Sequence, residues 1–356
     1  MRSDVFYWKC DHPLSVESKK ELYFADKYTD DSTGIAKGIV RDFLGKEALE
    51  FNHLKVDGNH FAYRFSDGRT KFLLRTDDGL SDDCYMLAES AIMEELGKSG
   101  LPVPKVFATS TDLKRFPVRY QIMEFLETPS LNTFYRQNTL NLQSIAHESG
   151  LFLSKLHQHK HPKFGFIDIE VLTREKRICG IDTTWAAYFN KCLPKHFAYL
   201  RDEKILGVET IRQIECIFES RHAWLDLKEG SLLHRDFAYW NILGTPSKIS
   251  AVIDWDDAVI GDPADDLGIV NCFNAPEFME ILIASYSSVS PVDEDFRLRI
   301  WFYTLRNMLW KTMIRQYMGY FERDNDFFLS KNDMNLTLKE YSLEKINQAV
   351  KKLRAL

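Results

Sequence analysis

His234-Arg235-Asp236-Phe237-Ala238-Tyr239-Trp240-Asn241, followed after one short apolar stretch by Ile253-Asp254-Trp255, places two carboxylates and an amide at a spacing suited to phosphoryl transfer from Mg-ATP. Such transfer asks little covalent chemistry of a protein. It needs a group that orients the attacking hydroxyl and takes its proton, and oxygen ligands for magnesium. Asp236 suits the first task. Asn241, five residues on, can turn its amide oxygen back toward the same pocket, and Asp254 supplies a charged second ligand. Magnesium prefers hard oxygen donors and keeps several waters, so one carboxylate, one amide and the nucleotide phosphates form a sufficient set.

The flanks of this stretch say how it is held. Ser231-Leu232-Leu233 is a short apolar lead-in. Residues 241–244 and 249–253 read as two strands of a hairpin turned at Thr245-Pro246-Ser247-Lys248. Both candidate metal ligands then sit at strand ends. The competing reading is a polar turn after a buried strand, with no chemistry attached.

Downstream, the run Ala251-Val252-Ile253-Asp254-Trp255-Asp256-Asp257-Ala258-Val259-Ile260-Gly261-Asp262-Pro263-Ala264-Asp265-Asp266-Leu267 closely resembles the C-terminal half of the aminoglycoside phosphotransferase family, which belongs with the choline kinase and fructosamine kinase-like enzymes. That family's habit is Ile-Asp-Trp or Ile-Asp-Phe, then Gly-Asp-Pro, then Asp-Leu. The resemblance implies an α+β, bilobal protein-kinase-like fold, with a small N-terminal β-sheet lobe and a larger, mainly helical C-terminal lobe. It implies Asp236 as catalytic aspartate, Asn241 and Asp254 as Mg2+ ligands, His234 as support for the loop and Asp266 as its internal brace. Two departures stand out. Arg235 replaces the family's usual glycine and makes the triplet look like that of a eukaryotic protein kinase, while Tyr239 and Trp240 bring bulk to the acceptor side.

The nucleotide lobe should lie upstream. Residues 51–65 alternate, turn at Asp67-Gly68, and continue as Thr70-Lys71-Phe72-Leu73-Leu74-Arg75, a compact apolar strand ending in a cation. By resemblance, Arg75 stands where kinase-like folds put the basic residue that meets the α- and β-phosphates, with Lys71 and Arg69 as rivals. Residues 85–98 read as a helix, and Glu89, seven residues before a leucine and ahead of Gly100-Leu101-Pro102-Val103-Pro104, is the expected partner of Arg75. Gly58, in Val56-Asp57-Gly58-Asn59-His60-Phe61, allows a tight turn over phosphates, although this is no glycine-rich fingerprint. Tyr120-Gln121-Ile122-Met123 reads as a buried strand leading out through Glu124-Phe125-Leu126. By resemblance the main chain at Glu124 and Leu126 meets the adenine edge and Met123 lines the purine pocket. The lobes are expected at 1–123, including a helical extension over 1–45, and at 131–356, joined by a hinge at 124–130.

Composition narrows the function class. A chain of 356 residues with 45% hydrophobic content can bury a large core and form about two domains. The net charge of −6 and isoelectric point of about 6.0 argue against nucleic acid as partner, because neutralising phosphates needs a basic face. No signal-like start and no bilayer-length apolar run is visible, and six scattered cysteines fit reduced thiols. A cytoplasmic enzyme, monomeric or homodimeric and away from membranes, is expected.

Residues 231–300 hold 12 acidic against 4 basic side chains, and Asp256, Asp257, Asp265, Glu277 and Glu280 would attract a cationic acceptor such as an aminoglycoside. Tyr239 is a further candidate acceptor contact. Trp185-x-x-Tyr188-Phe189 has helical core spacing, although an exposed Trp185 would stack on a substrate ring. Helices are expected over 141–157 and 296–320 and after Asn335. His157, at the end of the first, reads as a packed core histidine.

These readings converge on a small-molecule O-phosphotransferase using ATP, with GTP as an alternative donor. A protein kinase is the runner-up, kept by Arg235. Only eight residues lead from Asp254 to Asp262-Pro263, however, where protein kinases need a long activation segment. A nucleotide-binding scaffold is the non-enzyme alternative.

Overall fold

The computed structural model describes residues 30–54, 60–77, 84–317, 319–322 and 336–354. Gly58 and residues 1–29 of the expected helical extension lie outside the described residues. The chain divides into two compact units, with the break between Thr128 and Pro129.

The first unit is a five-stranded antiparallel sheet of β1 (Glu50–His53), β2 (Phe61–Ser66), β3 (Lys71–Thr76), β4 (Val106–Ser110) and β5 (Tyr120–Glu124), in the order β1-β2-β3-β5-β4. Along β3 the burial alternates, so Phe72, Leu74 and Thr76 point into one face and Lys71, Leu73 and Arg75 into the other. Phe72 and Leu74 join Tyr63, Phe65 and Ile122 in a core closed by Ala36, Ile39 and Val40 of helix α1 (Asp30–Leu44). The β2–β3 turn is built by Asp67, whose carboxylate accepts the backbone N–H groups of Arg69 and Thr70 at 2.8 and 2.7 Å, with Gly68 at φ 95°. Helix α2 (Tyr85–Lys98) ends where Gly100 takes φ 78° and the Leu101 N–H returns to the Leu96 carbonyl at 3.0 Å. Pro102 then prevents continuation.

The second unit is mainly helical. It opens with α3 (Leu131–Arg136) and α4 (Leu142–Leu156), the latter capped by the Asn141 side chain on the Ser144 N–H at 3.0 Å. Five short strands form its main sheet, in the order β6-β9-β12-β7-β8: β6 (Lys160–His161), β7 (Phe164–Ile167), β8 (Gly180–Asp182), β9 (Gly230–Leu233) and β12 (Val259–Gly261). Between β7 and β9 run α5 (Ile169–Glu175), α6 (Trp185–Asn190), α7 (Leu193–Asp202) and α8 (Val208–Ser220). A separate hairpin pairs β10 (Ile242–Thr245) with β11 (Lys248–Val252) across a bulge at Leu243/Gly244. Helices α9 (Pro263–Asn271), α10 (Pro276–Ser287), α11 (Phe296–Tyr317) and α12 (Leu338–Arg354) complete the unit.

Two glycines are demanded by close approach here. A Cβ on Gly150 of α4 would meet the Leu282 carbonyl of α10 at 2.4 Å, and one on Gly261 would strike the Trp185 ring at 2.4 Å. The Gly261-Asp262-Pro263 triplet therefore has a structural explanation. Glycine admits the indole, Asp262 caps α9 by accepting the Ala264 N–H at 2.9 Å, and proline opens the helix. Among the described residues no helix is long and apolar enough to cross a membrane.

Candidate active site

The loop 234–241 leaves β9, whose four residues are all buried, and is held from below by one carboxylate. Asp266, fully buried in α9, accepts the backbone N–H of His234 at 2.8 Å, that of Arg235 at 2.7 Å and Nε2 of His157 at 3.1 Å. Burial pushes the Asp266 carboxyl up, but the His157 hydrogen bond and the amides outweigh it and hold the group below its ordinary range. His157 is thus buried in the core, but as part of the brace. Its Nδ1 meets the Tyr286 hydroxyl at 3.0 Å.

His234 fixes the next bend. Its Nε2 faces the Ile253 carbonyl at 3.0 Å, and its Nδ1 faces the Asp236 N–H at 3.2 Å. A carbonyl can only accept and an amide can only donate, so one tautomer, neutral with hydrogen on Nε2, satisfies both.

Arg235 adopts φ 69°, a conformation that glycine reaches without strain and most side chains resist. The family's glycine at this point has the same physical rationale. Here the arginine is buried and its Nη1 pairs with Asp265 at 2.7 Å and donates to Asn307 at 3.0 Å, while the Asn307 amide donates to Asp265 at 2.8 Å. Asp265, expected as an acceptor contact, is fully buried in this ion pair, and that assignment is corrected to loop support.

Asp236 emerges with its side chain a quarter exposed. Its Oδ2 accepts Nε1–H of Trp240 at 3.0 Å and Nδ2–H of Asn241 at 2.8 Å, and Asn241 Nδ2 also donates to the Asp236 carbonyl at 3.0 Å. Because the nitrogen of Asn241 is committed to Asp236, its Oδ1 is the atom left for a cation. The Ile253 N–H donates to the Asn241 carbonyl at 3.0 Å, which ties the start of β10 to the residue preceding Asp254. Asp254 itself is half-buried at φ 67°, ψ 63°, and begins the short turn Trp255–Asp257. These are hard oxygen donors of the kind magnesium takes, and the set fits that ion. Among the described residues no group of three His, Cys, Asp or Glu side chains offers an alternative metal cage.

The other face of the carboxylate was missed in the sequence. Lys311 of α11, only 8% exposed, brings Nζ to 3.9 Å from Asp236 Oδ1. Burial draws its ammonium below the ordinary lysine value, while Asp236 pulls it the other way. The available signal was a lysine inside the apolar run Leu309-Trp310-Lys311-Thr312-Met313, where a charge needs a reason. Trp240 was read as bulk, yet its indole N–H is a donor to the candidate base.

The remaining acceptor candidates scatter. Trp185 is fully buried, donating to the Tyr303 hydroxyl at 2.8 Å and stacked on Tyr188, which excludes the exposed stacking role. Tyr239 is half-buried and donates to Asn274 Oδ1 at 2.5 Å. Asp257 is half-buried in the turn after Asp254, and Glu277 is exposed in the first turn of α10.

In the first unit Arg75 Nη1 donates to both oxygens of Glu89 at 2.8 and 2.9 Å, with Glu89 only 1% exposed. The rival Lys71 pairs with Glu127 at 2.6 Å, and Arg69 gives its backbone amide to the Asp67 turn. Met123 is buried in β5. The Glu124 N–H is taken by the Lys105 carbonyl at 2.8 Å, so that amide is spent within the sheet, and Leu126 is half-buried beyond it.

Comparison with known proteins bears on the family and the fold. The sequence model of the phosphotransferase enzyme family, APH, matches residues 56–296. No curated protein matches the chain in sequence. Among solved structures, aminoglycoside phosphotransferase APH(4)-Ia is similar with a TM-score of 0.63 at 16% identity, over 90% of this chain and 99% of that one. A putative fructosamine-3-kinase from Haemophilus somnus 129PT gives 0.57 at 17%, over 90% and 96%. The gentamicin complex of APH(2")-IIa gives 0.55 at 16%, over 92% and 96%. At such identities the likeness is one of fold, and it is the kinase-like fold that the family resemblance implied. With the family model spanning most of its length, the chain belongs to the phosphotransferase enzyme family, APH.

Proposed function

We propose that this phosphotransferase moves the γ-phosphoryl group of ATP to a hydroxyl of a small molecule, with Asp236 as the base. The observation that carries the reading is the state of the Asp236 carboxylate. Two donors occupy Oδ2, and the side chain is partly open, so Oδ1 is the atom that orients and deprotonates an incoming alcohol. Asn241, by donating to Oδ2, holds that carboxylate in one rotamer. Asn241 Oδ1 and Asp254 are the residues that would hold magnesium, which when bound neutralises charge on the phosphates. In the first unit, Arg75 meets nucleotide phosphates with Glu89 fixing its guanidinium. The carbonyl of Glu124 and the backbone of Leu126 serve the adenine edge.

Several features support the small-molecule assignment. Only the three-residue turn Trp255–Asp257, Ala258 and strand β12 separate Asp254 from the capping Asp262, which leaves no room for a peptide-docking activation segment. The intact base and ligands argue against a non-catalytic scaffold. A solved complex of a thermostable APH(4)-Ia variant holds ADP and hygromycin B, which supports ATP as donor and a small hydroxyl compound as acceptor. The test is Mg-dependent release of ADP from ATP, and of GDP from GTP, against a panel of hydroxyl compounds and a generic protein substrate. Turnover confined to small acceptors is expected. Phosphorylation of the protein alone would overturn the reading.

A further inference from the structure

Three buried cations from the two C-terminal helices act on one neutral thiol, and one of them, Lys311, lies beside the candidate base. Lys311 and Arg315, one turn apart on α11, and Lys345 on α12 are 8%, 4% and 7% exposed, and all three act electrostatically on buried Cys272. Burial raises that thiol to about 11, so it supplies no counter-charge at neutral pH. Arg315 donates to the Ser342 hydroxyl at 2.7 Å and Lys345 to the Asn274 carbonyl at 3.3 Å, neutral partners in both cases. Among the described residues Lys311 donates no hydrogen bond. It lies over the rings of Phe273 and Trp310 at 4.6 and 5.1 Å and faces one acid, Asp236.

Four of the acids in this part of the sequence are engaged elsewhere. Asp262 pairs with Arg299, Asp265 with Arg235 and Glu280 with Arg297, while Asp266 binds backbone amides. Glu344 is the one further carboxylate acting on Lys345. Lys311 thus has Asp236 as its acid at the long distance of 3.9 Å and no hydrogen-bond acceptor among the described residues, and a buried cation held so loosely is costly unless something completes it.

We propose that Lys311 recognises an anionic group on the acceptor, so that the substrate is a hydroxyl compound bearing a carboxylate or phosphate ester rather than a polyamine. This rests on Asp236 being the base. An anion held at about 2.8 Å from the ammonium lies close to Asp236 Oδ1 and places a hydroxyl two or three bonds away on the atom that takes its proton. The acidic composition of residues 231–300 suggested a cationic acceptor, and two of the acids behind that reading, Asp265 and Glu280, are paired with Arg235 and Arg297.

The experiment compares matched acceptors (hydroxy acids, sugar phosphates, their neutral amide or dephosphorylated congeners, and amino alcohols) with wild type, Lys311→Met, Lys311→Gln and Lys311→Arg. Turnover and binding to the Mg-AMP-PNP-loaded protein are both measured. The wild type should favour the anionic member of a pair at least about tenfold in kcat/KM, chiefly through KM. Lys311→Met and Lys311→Gln should bring that ratio near one, and Lys311→Arg should retain most of it. Whether carboxylates or phosphate esters show the larger ratio identifies the anion. Amines preferred, no anionic member favoured in turnover or binding, or equal losses for anionic and neutral congeners in Lys311→Met would each overturn the proposal. The last result would assign Lys311 to the transferred phosphoryl group. Absence of Mg-ATP binding by the wild type would instead defeat the kinase reading on which the proposal rests.

Discussion

Asn241 donates its side-chain amide to the carboxylate of Asp236 at 2.8 Å, and this one bond fixes both residues for different tasks. The nitrogen end holds the candidate base in place, and the oxygen end is the proposed ligand for magnesium. A loop of four intervening residues reverses to make the contact, and Asp266 pins its start through two amides.

Loss of the charged metal ligand should act on nucleotide binding. Asp254→Ala is expected to remove Mg-dependent affinity for ATP while leaving the fold intact, since Asp254 is half-buried at a strand end. Calorimetric titration of Mg-ATP into the variant checks this. Undiminished affinity would move the ligand role to Asp256 or Asp257.

Arg75→Ala should raise the KM for ATP more than the KM for the acceptor, by roughly tenfold, the worth of one charge-assisted contact. Glu89→Gln should show the same pattern more weakly, because Glu89 acts by holding Arg75 through two oxygens. Steady-state kinetics with each substrate varied separately decides it. A larger effect on the acceptor would favour Lys71.

Asp266→Ala leaves two loop amides and His157 without their acceptor. The expected cost is about 3–5 kcal/mol, the range for removing one member of a buried charged network. Denaturant unfolding measures this, and a loss below about 1 kcal/mol would show that the brace is dispensable.

His196 sets an acid limit on stability. Burial, followed by the nearby Arg306, lowers it from 6.5 to about 3. The unfolded chain therefore takes up a proton below pH 6.5 that the folded chain refuses, and folding free energy is lost as pH falls from there toward 3. One such group contributes about 2 kcal/mol of loss between pH 7 and 5. Unfolding of His196→Leu at both pH values should show a pH-dependent loss smaller by that amount, and an identical loss in wild type and variant would refute it.

Much of this was legible in the sequence, and the reasons are local. The helix from Tyr85 to Lys98 is bounded by Gly100 and Pro102, and the hairpin after Asn241 by Pro246 and Ser247, so short-range signals suffice. The Arg75–Glu89 pair came from family spacing, and the two side chains do meet. The sheet built from β6, β7, β8, β9 and β12 was not read, because strands of two to four residues carry no periodicity and pair across distant segments. Lys311 reaches Asp236 from 75 positions away, so its apolar neighbours flag a charge that needs a reason but do not name its partner. Trp185 and Asp265 were misplaced for the converse reason. Composition shows that an aromatic or an acid is present, but whether it faces Tyr303 and Arg235 or the solvent depends on packing.

The central claim is that Asp236 takes the proton of an alcohol in a site where the nucleotide is bound by other groups. The most direct measurement is the turnover of Asp236→Asn, with Mg-AMP-PNP affinity determined on the same preparation. Turnover should fall by roughly 10²- to 10⁴-fold with affinity retained within a few-fold, the signature of a lost positioned base. Turnover equal to wild type, or a loss explained entirely by failure to bind nucleotide, would contradict the account.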